Sequence, residues 1–126
     1  MLKHVIYVCN ENDPAAVLQF CFKDIAKVTH AESKESSLSE LNAHRKIDLL
    51  LVDYDTPKMI LSEYLAVLEK KYPDLPVIIA IPNLAMADNF SKERIQINAK
   101  KITDVIDGRI LNTEGLEKIF RALCLK

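Results

Sequence analysis

The stretch that decides the fold is IDLLLVDYDTP, residues 47–57. Its four apolar residues, Leu49 to Val52, stand between Asp48 and Asp53. A continuous apolar run of this length is typical of a strand that helices cover on both faces, as in a parallel sheet. Asp53 ends this strand, and open α/β sheets bind ligands at the carboxyl ends of their strands. We therefore expect a buried central strand with a functional carboxylate at its end.

Four further segments are rich in β-branched and apolar residues and are typical of strands. A helix is expected after each of the five strands, without a linker or an internal repeat. The helical pattern is weak after the second strand, and residues 83–102 show no single stripe, so one helix or two pieces are expected there. The alternation of strands and helices predicts an α/β fold, a doubly wound (βα)5 sandwich with a parallel sheet between helices. Five strands favour the order 2-1-3-4-5, in one domain over residues 1–126. The four further strands are predicted at His4–Cys9, Lys27–Ala31, Val77–Ile81 and Thr103–Asp107.

Two predictions concern the helices, namely the cap of the first helix and the apolar stripes of three of them. Asp13 is expected to be the N-cap of the first helix, with Pro14 at its first position. Apolar stripes are expected to bury one face of the first, third and last helices, and Phe20 falls off the centre of the first stripe. The stripes are formed by Val17, Leu18, Cys21, Phe22 and Ile25, by Leu61, Tyr64, Leu65 and Leu68, and by Leu116, Ile119, Phe120 and Leu123.

The bulk composition excludes several classes of protein. The 126 residues are 49% hydrophobic and 28% charged, with a net charge of −1 and a pI near 6.3. This balance gives no general attraction for nucleic acid or for an anionic membrane. The apolar runs are too short to span a bilayer, and the N-terminus has no signal-peptide pattern. We therefore expect a cytoplasmic protein that binds neither nucleic acid nor membrane directly.

Cysteine and glycine usage also limits the possible chemistry. Cys9, Cys21 and Cys124 have no metal-ligand spacing and lie in apolar surroundings, so we interpret them as reduced structural thiols. The only glycines are Gly108 and Gly115, which disfavours a glycine-rich phosphate loop and hence a flavin or nucleotide binder of this fold. No nucleophile-elbow pattern occurs, and we expect no enzymatic activity.

The predicted strand order brings acidic residues together. Glu11 and Asp13 follow the first strand, and Asp53 and Asp55 end the third, which is its neighbour at the point where the strand order reverses. Carboxylate oxygens are ligands for hard cations, so these four acids are candidate metal ligands. Turn and capping roles are the favoured alternative for Glu11 and Asp13.

The sequence resembles the receiver domain of bacterial response regulators over essentially its whole length. DLLLVD (residues 48–53) is similar to that family's third strand, and LPVII (residues 75–79) resembles the approach to its fourth. Pro57, Met59 and Glu63 match three positions of the family's Met-Pro-x-Met-x-Gly-x-Glu loop. The resemblance implies that Asp53 is the phospho-acceptor, with the carbonyl of Asp55 facing Mg²⁺. It also implies that the domain works in two-component phosphorelay signalling.

Several positions depart from the family pattern. Cys9-Asn10 or Glu11-Asn12 stands where the family carries two adjacent acids. Ile81 replaces the switch serine or threonine, and Gly108-Arg109 falls where the family has its lysine. Val105 or Ile106 replaces the aromatic residue of the fifth strand. The chain therefore resembles a degenerate, or pseudo-, receiver.

Two functions follow from this resemblance. The first is a protein–protein interaction module of two-component signalling with an incomplete phospho-switch. Its partners would be signalling proteins, either a histidine kinase or a downstream partner, or a second copy of the chain. The second is a competent receiver that is phosphorylated on Asp53 with Mg²⁺. In either case an output domain could follow residues 1–126 in a longer protein.

Overall fold

A computed structural model describes residues 2–44, 46–56, 58, 60–81, 87–96, 101–107 and 113–124, with backbone only at 87, 93–96 and 107. The described elements alternate between strand and helix. The strands are β1 (Lys3–Val8), β2 (Ala26–Ala31), β3 (Leu49–Asp53), β4 (Val77–Ile81) and β5 (Ile102–Asp107). The helices are α1 (Asn12–Cys21), α2 (Lys34–Ala43), α3 (Leu61–Lys71), α4 (Ala87–Gln96) and α5 (Thr113–Cys124).

The five strands form one parallel sheet in the order β2-β1-β3-β4-β5, so the predicted fold and strand order are confirmed. β3 lies at the centre, and its residues Leu49 to Val52 are fully buried. Asp48 anchors the start of β3 to β1: its amide donates to the His4 carbonyl at 2.8 Å, and its carboxylate accepts from the His4 amide at 2.8 Å. The acid before the apolar run therefore fixes the register of the central strand.

Alternate residues of the sheet face two separate layers of helices. On one face, Ile6, Leu50 and Ile79 belong to a core that includes residues of α2, α3 and α4. On the other face, Tyr7 and Leu51 belong to a core with residues of α1 and α5. This period of two is the geometry of a pleated strand with both faces covered. This alternation of side chains between the two faces determines which of them can be in contact at the end of β3.

The helical stripes are confirmed in part. The stripe of α3 is buried along its length. In α1, Leu18 is buried, but Val17 and Cys21 are exposed. In α5, Ile119 is buried whereas Phe120 is half exposed. The first and last stripes were thus predicted too wide, because each helix turns only about a third of its surface to the sheet.

The predicted cap of α1 is wrong. The helix begins at Asn12, and Glu11 is the N-cap residue, without a capping hydrogen bond from its side chain. Asp13 lies inside the first turn, where a carboxylate interacts favourably with the helix dipole but does not cap the helix.

None of the helices in the described part of the chain is long and apolar enough to cross a membrane.

Candidate functional site

Asp53 is the last residue of β3 and lies half-buried at the carboxyl edge of the sheet. Backbone contacts fix the turn after it. The amide of Tyr54 donates to the Ala80 carbonyl at 2.8 Å, and the hydroxyl of Thr56 donates to the Asp53 carbonyl at 2.7 Å. The carboxylate therefore has a defined position, where the sequence predicts it.

Tyr7 holds the carboxylate of Asp53. Its phenolic hydroxyl donates to Oδ1 at 3.0 Å and to Oδ2 at 3.2 Å. Tyr7 pairs with Leu51 in the parallel register of β1 and β3, so its side chain shares a face with Asp53, two residues further along β3. The ring is buried, with 1% of the residue exposed. A buried phenol thus shares its one proton between the two oxygens of the candidate phospho-acceptor.

The contact between Tyr7 and Asp53 was not predicted from the sequence, in which Tyr7 is part of a buried strand. Two signals could have indicated it. A tyrosine inside a buried strand needs a partner for its hydroxyl. Residues two apart on a strand also share a face, which places Tyr7 and Cys9 on the same side of β1.

Cys9 occupies the place beside Asp53 at the end of β1. The register pairs Val8 with Val52, and continuing it by one residue sets Cys9 opposite Asp53. Cys9 is fully buried, and its thiol donates to the Glu11 carbonyl at 3.1 Å. Burial, with the Asp53 charge as a smaller cause, raises the pKa of Cys9 to about 12. The group beside the carboxylate is therefore a neutral thiol.

The electrostatics of the site disfavour the ionised form of Asp53. The pKa of Asp53 is raised to about 7; burial is the largest cause, and the charges of Asp55 and Glu11 add to it. The hydrogen bond from Tyr7 acts in the opposite direction and lowers this pKa. Burial and the Asp53 charge also raise the pKa of Tyr7 above its ordinary value, so the phenol keeps its proton. Near neutral pH a substantial fraction of Asp53 is consequently protonated.

The four predicted metal ligands do not form a cluster. Glu11, Asp13 and Asp55 are exposed, and Asp13 lies within α1. The described residues contain no group of three or more His, Cys, Asp or Glu side chains that could hold a metal ion. The thiol of Cys9 and the phenol of Tyr7 are poor ligands for a hard cation such as Mg²⁺. The residues beside Asp53 therefore do not fit this ion.

Three of the positions that depart from the family pattern lie in β4 and β5, namely Ile81, Val105 and Ile106. Ile81 ends β4, is 4% exposed and packs in the core on the side of α2, α3 and α4. In β5, Val105 is half-buried and Ile106 is fully buried. The residue that ends β4 therefore carries no hydroxyl group. Four positions of the resemblance lie outside the described residues, namely Pro57, Met59, Gly108 and Arg109.

No family model matches the sequence, and no curated protein matches it. Solved structures do match in fold. The signal receiver domain of a two-component response regulator from Bacteroides fragilis is similar over 98% of this chain and 98% of its own, with a TM-score of 0.77 and 22% identity. The chemotaxis response regulator of Vibrio cholerae is similar over 98% of this chain and 100% of its own, with a TM-score of 0.76 and 16% identity.

An adenylate cyclase from Rhodopirellula baltica is also similar, over 97% of this chain and 87% of its own, with a TM-score of 0.78 and 13% identity. The fold is therefore that of response-regulator receiver domains, as the resemblance implies. Because proteins with such different names share it, the fold does not by itself specify an activity. The function has to be argued from the residues around Asp53.

Proposed function

We propose that this chain is an atypical receiver domain of two-component signalling, acting mainly through protein–protein contacts and with an incomplete phospho-switch. The observation that supports this proposal is the contact between Tyr7 and both carboxylate oxygens of Asp53. In this proposal the chain is not an enzyme. Its partners are cytoplasmic signalling proteins, either a histidine kinase or a downstream protein.

The chemistry of phosphoryl transfer explains why this contact matters. A carboxylate attacks phosphorus with a free, ionised oxygen, and the charge on the phosphoryl oxygens is neutralised by a cation or a fixed positive group. In this site the hydroxyl of Tyr7 binds the carboxylate of Asp53 and lowers its nucleophilicity, and burial favours the protonated carboxyl group. Cys9 supplies a thiol where a cation would need an acid. Each of these features slows acceptance of a phosphoryl group.

The domain is also poorly suited to relaying a phosphorylation signal from Asp53 to a partner. In the resembled family, a hydroxyl at the end of β4 follows the phosphoryl group and moves the surface that partners bind. Ile81 at this position has an apolar side chain packed in the core. Phosphorylated Asp53 would therefore find no hydroxyl partner at this position. Binding of partners would depend on the folded surface rather than on phosphate.

A competent receiver is the second candidate function, and the position of Asp53 at the end of the central strand favours it. Incubation with acetyl phosphate and MgCl₂ distinguishes the competent receiver from the incomplete switch. In the competent reaction an Asp53 oxygen attacks phosphorus, the bond from phosphorus to the acetyl oxygen breaks, and acetate leaves. We expect intact-mass spectrometry to show no phosphoryl adduct above a few per cent at pH 7 or pH 8.5 after an hour.

Two variants make this measurement specific. Asp53→Asn removes the acceptor, and Asp55→Asn removes an exposed carboxylate two residues away. An adduct that forms on the wild-type protein and on Asp55→Asn, but not on Asp53→Asn, would overturn the incomplete switch and establish the competent receiver. Equal background on all three proteins supports the proposal.

A further inference from the structure

Exposed apolar side chains are concentrated on one side of the molecule. The described residues include six large hydrophobic side chains that are exposed, and four of them belong to α1, to the turn after it, or to α5. They are Val17 (44% exposed), Phe20 (69%), Ile25 (36%) and Phe120 (51%). Scattered apolar residues on a surface are normal, but a contiguous apolar patch marks an interaction site.

A groove of about 740 Å³ lies between the end of α1 and α5. Phe22, Ile25, Leu116 and Phe120 provide much of its apolar lining. Asp24, Glu117 and Arg121 add charges of both signs to the lining. A groove of this composition, apolar with a few charges, has the usual character of a protein-binding surface.

The charge pattern of α1 agrees with an interface. Asp13 is the only charged residue of this helix, and no charged residue occurs from Pro14 to Phe22. A helix on the surface of a monomer ordinarily carries charged residues on its outer face. The outer face of α1 instead presents Val17 and Phe20 to solvent. Depletion of charge together with an exposed aromatic residue is the composition found at the centre of protein interfaces.

We propose that a second copy of this chain docks on the α1–α5 groove, as a symmetric dimer in which Phe20 of each copy inserts into the groove of the other. A twofold interface uses the same patch on both copies, so the patch must complement itself. The surface formed by α1 and α5 meets this condition in shape, because it has both the exposed ring of Phe20 and the groove. The proposal is independent of whether Asp53 accepts phosphate.

The charges around the patch are also self-complementary. Lys23 lies beside Phe20, with its ammonium group 4.8 Å from the ring centroid. Insertion of Phe20 would carry this positive charge towards Asp24 and Glu117, which line the groove of the other copy. A patch with both signs fits its own copy better than a strongly acidic or strongly basic partner.

Sedimentation velocity from low micromolar to several hundred micromolar protein tests the dimer. We expect a concentration-dependent dimer of the wild-type chain and a monomer of Phe20→Glu, with at least a tenfold weaker self-association. Ile60→Glu is the matched control, because Ile60 is 54% exposed at the N-cap of α3, which packs on the opposite face of the sheet. It should dimerise as the wild-type chain does. Circular dichroism confirms that each variant is folded.

Thiol reactivity locates the interface independently. Cys21 and Cys124 are exposed and line the groove, whereas Cys9 is buried in the core. Dimerisation should slow the reaction of the two exposed thiols with a thiol reagent at least fivefold at high protein concentration. Phe20→Glu should abolish this protection. Cys9 serves as the unreactive reference in both states.

Three outcomes would overturn the proposal. The first is a wild-type chain that stays monomeric at every concentration. The second is a dimer that forms equally well with Phe20→Glu, since the interface would then lie elsewhere. The third is a dimer that dissociates with Ile60→Glu alone, which would place the interface at the N-terminal end of α3.

Discussion

Asp53→Asn is expected to raise the thermal midpoint of unfolding by roughly 10 °C at pH 8.5 and by roughly 4 °C at pH 5. The folded protein raises the pKa of this carboxyl group from 3.8 to about 7, mainly by burial. Asparagine has the same shape, carries no charge and still offers an oxygen to the hydroxyl of Tyr7. The variant therefore removes a buried charge without removing its hydrogen-bond partner.

The sign of the pH dependence follows from proton linkage. Between pH 4 and pH 7 the folded state holds a proton on Asp53 that the unfolded chain has lost, so wild-type stability falls as pH rises through this window. Above pH 7 the loss of wild-type stability is complete and amounts to about 4 kcal/mol, since each pH unit between the two pKa values contributes about 1.4 kcal/mol. The asparagine variant has no such dependence at this position. Its advantage should grow across the window and then level off.

Thermal unfolding at pH 5, 6, 7 and 8.5, followed by circular dichroism, measures the difference directly. Asp55→Asn is the matched control because it removes the same charge from an exposed position. Exposed charges contribute little to stability, and we expect a shift of no more than about 2 °C from it. An Asp53→Asn advantage that is absent at pH 8.5, or equal at pH 5 and pH 8.5, would contradict the desolvation of Asp53.

The fold could be predicted from the sequence because its strands have unambiguous patterns. Leu49 to Val52 and Val77 to Ile81 are continuous apolar runs, and runs of this kind occur in strands covered on both faces. The structure confirms the bounds of both strands. The helix stripes were less informative at their edges. Val17 and Phe120 continue an apolar stripe, but a stripe does not distinguish contact with the sheet from contact with a partner.

The candidate site could be predicted only at Asp53. Its position depends on the end of one strand, which the sequence indicates directly. The contact with Tyr7 depends on the register between β1 and β3 and on the rotamer of a large ring. A single sequence indicates that a buried phenol needs a partner, but it gives neither the register nor the rotamer that selects Asp53 as that partner. Glu11 and Asp13 were expected beside Asp53 as ligands. Both are exposed at the start of α1, although Glu11 is near enough for its charge to raise the pKa of Asp53.

Tyr7→Phe is expected to lower the free energy of unfolding by about 1–3 kcal/mol and to raise the pKa of Asp53 above its value of about 7. The hydrogen bond from Tyr7 lowers the pKa of this carboxyl group, so removing the bond raises that pKa. A hydroxyl binds an ionised carboxylate more strongly than a protonated one. The loss of stability should therefore be larger at pH 8.5 than at pH 5.

Tyr64→Phe is the matched control for this prediction. Tyr64 is equally buried, but its hydroxyl bonds to Ser37 at 2.6 Å on the other side of the sheet. It should also lose stability, while the titration of the Asp53 carboxyl carbon, followed by NMR, should stay unchanged. Combining Tyr7→Phe with Asp53→Ala, which leaves no oxygen for the phenol to bind, completes a double-mutant cycle. A cycle without coupling, together with an unshifted Asp53 titration in Tyr7→Phe, would show that the phenol does not hold the carboxylate, and the main support for the incomplete phospho-switch would be lost.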